Sequence, residues 1–211
     1  MSYRIVLADD HHIVRQGLRA LLEKEGLKVI AEAENGRDAV QLAHTHKPDV
    51  VVLDLMMPLL NGLEAGREIL QNRYAAAAIL LTMHTEEHQI ALALRAGIRG
   101  YLLKTQAAED LVHAIREVMH GEIYLSPTVS RIVVDGYLSG DRPAGSDPLA
   151  PRERQVLQLV AEGKTSKEIA VLLGLTVKTA ESYRARVMEK LDVHETAGLV
   201  RYASRHGIID P

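Results

Sequence analysis

The chain has 211 residues, room for two modest domains, and 47% of them are apolar, enough to build buried cores and to exclude global disorder. It contains no cysteine, which excludes disulfides and thiolate chemistry. The net charge of −3 is uneven: residues 1–148 carry 15 Lys and Arg against 20 Asp and Glu, while residues 149–211 carry 10 against 8. Any nucleic-acid contact is therefore expected in the tail. The opening "MSYRIVLADD" turns acidic too soon for a signal peptide. No apolar run approaches the roughly 18 residues of a membrane helix, so a cytoplasmic location with no membrane partner is expected.

Along residues 3–120, short apolar runs alternate with stretches of helical spacing. The runs are "YRIVLA", "LKVIAEA", "VVVLD", "AAILLT" and "RGYLLK". Between them lie "IVRQGLRALLEKEG", in which Val14, Leu18, Leu21 and Leu22 share a face, then "GRDAVQLAHTH", "GLEAGREILQN", "EEHQIALALRAG" and "AAEDLVHAIREVMHG". Gly26, Gly97 and Gly121 stand where helices should stop. Five strands alternating with five helices predict a doubly wound α/β domain with a parallel sheet. Residues 122–148 read as a linker carrying a short helix near 127–138, with 139–148 its Gly, Ser, Asp and Pro-rich part. Residues 149–211 hold no strand-like run and read as four helices, near 151–162, 166–173, 177–191 and 195–206. Thr165 with Glu168 forms a capping box, Thr176 caps the third helix, and Gly174 sits in the tight turn between the second and third, a helix-turn-helix pattern.

An open parallel sheet binds ligands at the carboxyl ends of its strands. There the chain sets Asp9 and Asp10 after strand 1, Asp54 at the end of strand 3, Thr82 at strand 4 and Lys104 at strand 5. Crowded carboxylates attract protons and cations, and an all-oxygen donor set suits a hard ion such as Mg²⁺, with Mn²⁺ as a substitute. Beside such an ion Asp54 is a candidate nucleophile for a phosphoryl group, with Lys104 and Thr82 on the incoming oxygens. Neither GxxxxGK[ST] nor GxGxxG occurs, so the phosphoryl donor must come from outside. The histidines of "DDHH" and "THTH" are not expected to form a metal site, because neighbours at such spacing on a helix do not share a face.

On these residues the first part of the chain resembles a response-regulator receiver domain. The matching segments are "LADDHHIVRQGL", "DVVVLDLMMPLLNG", "ILLTMH" and "GYLLK". The resemblance implies a flavodoxin-like (βα)5 fold with strand order 2-1-3-4-5 over residues 1–121. It implies Asp54 as phosphoacceptor, Mg²⁺ held by Asp9, Asp10, Asp54 and the Met56 backbone carbonyl, and Thr82 with Tyr101 as the residues that shift on activation. It also implies a sensor histidine kinase as donor and slow self-dephosphorylation, with no other enzymatic turnover. Thr105 departs from the pattern, which has proline after the lysine.

In the tail's third helix, "VKTAESYRARVMEKL", Ala180, Tyr183, Val187 and Leu191 share the core side at 100° per residue. Lys178, Ser182, Ala185 and Glu189 face away, with Glu181 and Arg186 on the flanks. Such a helix can enter a major groove, with Lys178, Thr179, Ser182 and Ala185 near base edges and Thr165, Lys167, Arg186 and Lys190 near phosphates. Glu181 and Glu189 fit a solvated face equally well. "GKTSKEIA" and "YRARVMEKL" resemble the LuxR-type helix-turn-helix of NarL/FixJ-family regulators across residues 149–211. That resemblance implies a transcription factor that binds promoter DNA, forms a homodimer on activation and works with RNA polymerase. Ala150, Ala180, Glu181 and Tyr183 depart from the usual residues, so no target sequence carries over.

Two other classes fit parts of the sequence. A phosphatase-like enzyme with an Asp54 nucleophile would need a second acid two residues on, where Met56 stands. A phosphorylation-independent DNA-binding protein would not need the full set Asp9, Asp10, Asp54, Thr82 and Lys104.

Overall fold

The computed structural model describes residues 2–83, 86–138 and 148–209, apart from the side chains of residues 108 and 109. The chain divides into two compact units, Met1–Pro143 and Ala144–Pro211. The first unit is an α/β sandwich. Its strands are β1 (Arg4–Ala8), β2 (Lys28–Ala33), β3 (Val50–Asp54), β4 (Ala77–Thr82), β5 (Gly100–Leu103) and β6 (Tyr124–Leu125). Its helices are α1 (His12–Lys24), α2 (Gly36–His46), α3 (Gly62–Gln71), α4 (Glu87–Arg95), α5 (Ala107–Met119) and α6 (Pro127–Leu138). All six strands are parallel, in the order β2-β1-β3-β4-β5-β6.

Strand β3 shows why the rim is rigid. Val50, Val51, Val52 and Leu53 are fully buried, alternating between the two cores on opposite faces of the sheet. Burying each such side chain contributes about 1.5–3 kcal/mol, and β1 and β4 hydrogen-bond the strand on both sides. A β-branched run covered on both faces has no alternative register that keeps its apolar groups from water.

The first unit differs from the expected five-stranded domain at its end. Residues 122–138 were expected as linker with a short helix near 127–138. The helix is present as α6, but it is packed: Val129 is fully buried, and Ile132 and Val133 lie against the core cluster that contains Tyr101 and Ile90. Strand β6 extends the sheet beside β5. A two-residue strand carries no readable alternation, and the apolar positions of α6 find a partner only once α4 and β5 are in place. The expected linker stretch 139–148 lies outside the described residues except for Pro148.

The second unit consists of α7 (Pro151–Ala161), α8 (Ser166–Leu173), α9 (Val177–Lys190) and α10 (Thr196–Arg205), within two residues of the expected bounds. Thr165 accepts the Glu168 N–H at 3.3 Å while the Glu168 carboxylate accepts the Thr165 N–H at 2.8 Å, closing the capping box of α8. Gly174 ends α8 with φ of 63°, a left-handed conformation that a side chain would strain, and this sets the turn into α9. At the start of α7 Ala150 has no side-chain acceptor to offer. Only the Glu153 half of a capping box forms there, through the Ala150 N–H at 2.8 Å.

Candidate functional site

The carboxyl ends of β1, β3, β4 and β5 bring the predicted acidic-site residues together. Lys104 Nζ lies 2.8 Å from Asp9 Oδ2 and 2.8 Å from Asp54 Oδ2. Asp9 and Asp54 are both buried, Asp54 being 2% exposed, whereas Asp10 is exposed. Thr82 is buried at the end of β4, and its carbonyl accepts the Lys104 N–H at 2.8 Å, which holds the base of the lysine against β4. Met56 follows in the loop after β3 and points its N–H at Asp54 Oδ1 from 3.4 Å. Tyr101 is buried in β5. Burial and Glu86 push its phenol above the ordinary range, with the Thr82 hydroxyl pulling the other way.

The backbone leaves no slack around Asp54. A Cβ added to Gly62 would sit 2.1 Å from the Asp54 carbonyl oxygen, so only glycine lets α3 begin this close to β3. The Gly62 N–H donates to the Leu55 carbonyl at 2.9 Å, and Asn61 caps α3 by accepting the Glu64 N–H at 2.9 Å.

Charge accounting explains the electrostatics. Two buried carboxylates share one ammonium, so the inner site is one positive charge short before Asp10 is counted. Burial raises the Asp54 carboxyl from 3.8 to about 7, although Lys104 pulls it down; Asp9 adds to the rise. Burial alone would lower the Lys104 ammonium, but Asp54 and Asp9 together raise it, so the lysine stays charged. A proton on Asp54 or a cation in the site answers the same deficit.

The donor set fits a divalent cation. Ligand atoms of Asp9, Asp10, His11 and Asp54 all lie within 4.8 Å of one another, and three of the four are carboxylate oxygens, the preference of Mg²⁺ and Mn²⁺. His11 is an addition to the predicted set. Its Nδ1 stands 2.8 Å from Asp10 Oδ1, and its N–H donates to Asp9 Oδ1 at 2.8 Å. The histidines of "DDHH" were not expected at a metal site because neighbours within a helix do not share a face, but His11 stands among the grouped ligand atoms. His11 precedes α1 as its N-cap, with extended backbone, and so turns toward the acids.

In the second unit, α9 has the predicted division. Ala180 and Val187 are buried, Tyr183 and Leu191 half-buried, and Lys178, Glu181, Ser182, Ala185, Arg186 and Glu189 exposed. Thr179 is half-buried and its hydroxyl pairs with that of Thr176 at 2.8 Å. Lys167 is exposed on α8. Two expected phosphate contacts have internal partners. The Thr165 hydroxyl donates to Glu168 Oε2 at 2.7 Å. Lys190 Nζ lies 2.7 Å from Oε2 of Glu153, which is only 4% exposed.

Two families match this chain. The response regulator receiver domain matches residues 5–116, and the luxR family of bacterial regulatory proteins matches residues 147–203. The chain belongs to the response regulators.

It is a two-component response regulator of the NarL/FixJ family, a receiver joined to a LuxR-type DNA-binding domain, and its function is transcription regulation. The chain is 38% identical to the response regulator UvrY of Escherichia coli strain K12 over 97% of this chain and 94% of that protein. It is 34% identical to the response regulator GacA of Pseudomonas aeruginosa over 98% of each. Among solved structures it is similar to a LuxR-family response regulator from Aurantimonas, with TM-score 0.62 and 37% identity over 65% of this chain and 99% of that one. It is also similar to the response regulator RcsB in a complex with DNA, with TM-score 0.59 and 30% identity over 97% of this chain and 98% of that one. Among the described residues of this response regulator, no helix is long and apolar enough to cross a membrane.

Proposed function

We propose that this response regulator accepts a phosphoryl group on Asp54 from a sensor histidine kinase and converts that event into binding of promoter DNA. The observation that carries the reading is the approach of Lys104 to both Asp9 and Asp54, 2.8 Å each, at one end of the sheet. Asp9, Asp10, Asp54 and the Met56 carbonyl would hold Mg²⁺, or Mn²⁺ in its place. When bound, the ion would supply positive charge that favours the carboxylate form of Asp54 and offsets the charge of an incoming phosphoryl group.

The protein's own groups do the rest. An Asp54 carboxylate oxygen attacks phosphorus, the phosphorus–nitrogen bond of the donor phosphohistidine breaks, and an acyl phosphate remains on Asp54. The Lys104 ammonium then follows the transferred negative charge, and the Thr82 hydroxyl donates to a phosphoryl oxygen. Thr82 movement opens room for Tyr101, which lies in the same core cluster as α4 and α6. Apart from this self-phosphorylation and slow self-dephosphorylation, the protein turns over no substrate, because Met56 stands where a leaving-group acid would be needed.

In the second unit, Lys178, Thr179, Ser182 and Ala185 approach base edges, and Lys167 and Arg186 approach phosphates, with Thr165 and Lys190 at the margin of the contact. One such unit buries little surface, so a homodimer on paired half-sites forms on activation, and RNA polymerase is the downstream partner, in the cytoplasm. The test is incubation of the full chain with a radiolabelled small acyl phosphate, followed by selection of DNA sites. Stoichiometric labelling that Asp54→Ala abolishes, with label-dependent DNA selection, is expected. Labelling of Asp54→Ala, or many turnovers per protein, would overturn the reading.

A further inference from the structure

Arg15 is a charged residue on the inward stripe of α1, in line with the buried Leu18 and Leu22 and itself only 5% exposed. An arginine in that position is costly unless its donors are matched. All three guanidinium nitrogens have partners. NH1 donates to the Asp9 backbone carbonyl at 2.6 Å, NH2 to Glu34 Oε1 at 2.7 Å, and Nε to Glu32 Oε2 at 3.2 Å. One flat group thus ties α1 to the end of β2, to the residue after it and to the loop that carries the acids.

The contact to Asp9 is to its carbonyl, not to its carboxylate. The Asp9 N–H donates to the Ala33 carbonyl at 3.2 Å, so the residue is held at both ends of its backbone. The Asp9 carbonyl lies in the peptide plane that leads to Asp10. Fixing that plane limits the directions in which the Asp9 and Asp10 side chains leave the backbone. Glu32 and Glu34 meanwhile neutralise the arginine, so its charge does not compete for the Asp9 carboxylate, which remains with Lys104 and the site.

We infer that Arg15 is a positioning residue for the divalent-cation site: its hydrogen bond to the Asp9 carbonyl orients the Asp9–Asp10 pair for an ion. The inference rests on the reading of Asp9, Asp10 and Asp54 as a cation site. Arg19 is a built-in control. It lies on the same helix and binds the same Glu32, at 2.6 Å, and Glu23, at 2.9 Å, with no hydrogen bond to Asp9. Glu32 also accepts from Gln16 at 3.0 Å, so removing either arginine leaves it partnered, and Glu34 is exposed.

The experiment is titration of the full, unphosphorylated chain with Mn²⁺, free ion being read by electron paramagnetic resonance, with helical content and melting followed by circular dichroism. Arg15→Met is expected to keep the fold and weaken Mn²⁺ binding roughly tenfold or more, the usual effect of losing a residue that orients a metal ligand. Arg19→Met is expected to bind as the wild type does. Should Arg15→Met fail to fold, Arg15→Lys serves. Its ammonium settles between Glu32 and Glu34, cannot span three partners, and releases the Asp9 carbonyl, so binding again weakens. Wild-type affinity in a folded Arg15 variant, or an equal loss in Arg19→Met, overturns the role of Arg15 while leaving the cation site standing. A wild-type chain that binds no Mn²⁺ overturns both.

Discussion

The Lys104 ammonium lies 2.8 Å from the Asp54 carboxylate, although Asp54 ends β3, Lys104 follows β5 and β4 runs between those strands. It is equally close to Asp9, so it bridges the two buried acids of the rim. Lys104→Met leaves those acids without their ammonium. Labelling of Asp54 by a small acyl phosphate is expected to slow roughly 10²-fold, the scale for removing one charged group from a transferring phosphoryl. Rapid-quench labelling at saturating Mg²⁺ measures it.

The raised Asp54 carboxyl makes stability depend on pH. In the folded chain it titrates at about 7, against 3.8 ordinarily. The folded state therefore binds the proton more tightly, and its contribution is fully present below about pH 4 and lost as pH rises through about 7. In EDTA, the melting temperature of the wild type is expected to fall between pH 5 and pH 8 relative to that of Asp54→Asn, by a free energy on the order of a few kcal/mol. Mg²⁺ is expected to close the gap. Parallel pH-dependent curves for the two proteins would contradict it.

Gly62→Ala forces a methyl group toward the Asp54 carbonyl oxygen, 2.1 Å from where the Cβ would stand. Backbone cannot yield as a flexible side chain does, so α3 must back away from β3. A loss of about 1–3 kcal/mol in urea denaturation is expected, with weaker Mg²⁺ binding. Gly17, around which nothing lies within 4 Å of an added Cβ, gives the contrast: Gly17→Ala should not destabilise the fold.

Lys190 and Arg186 should separate by experiment. Lys190 is paired with buried Glu153, whereas exposed Arg186 sits 5.7 Å from the Tyr183 ring centroid. Arg186→Ala is expected to weaken DNA binding at every sequence and to reduce the salt slope by about 1. Lys190→Met is expected to destabilise the second unit by about 1–3 kcal/mol, because a buried carboxylate loses its cation. Burial raises the Glu153 carboxyl, but Lys190 and the Ala150 N–H outweigh it and hold the carboxyl below its ordinary value. That stabilisation is present at neutral pH and lost as pH falls through the lowered value, so Lys190→Met should also flatten the acid limb of the unfolding curve.

What the sequence determined by itself follows from period and punctuation. The run "VVVLD" has no polar face, so it had to be a central strand, and its position before "LMMP" put Asp54 on the rim. The α8–α9 turn was equally local: Thr165, Glu168, Gly174 and Thr176 act through bonds spanning a few residues. Tertiary structure alone decided the features whose partners are distant in sequence. Arg15 meets its partners only where β2 supplies Glu32 and the loop supplies the Asp9 carbonyl. Lys190 has a partner within the fold because α7 brings Glu153 beside it, 37 residues away in sequence. Strand β6 and helix α6 looked like linker until β5 and α4 offered them an edge and a face. A buried charge is tolerable only beside its partner, and that partner is chosen by packing, which no local pattern encodes.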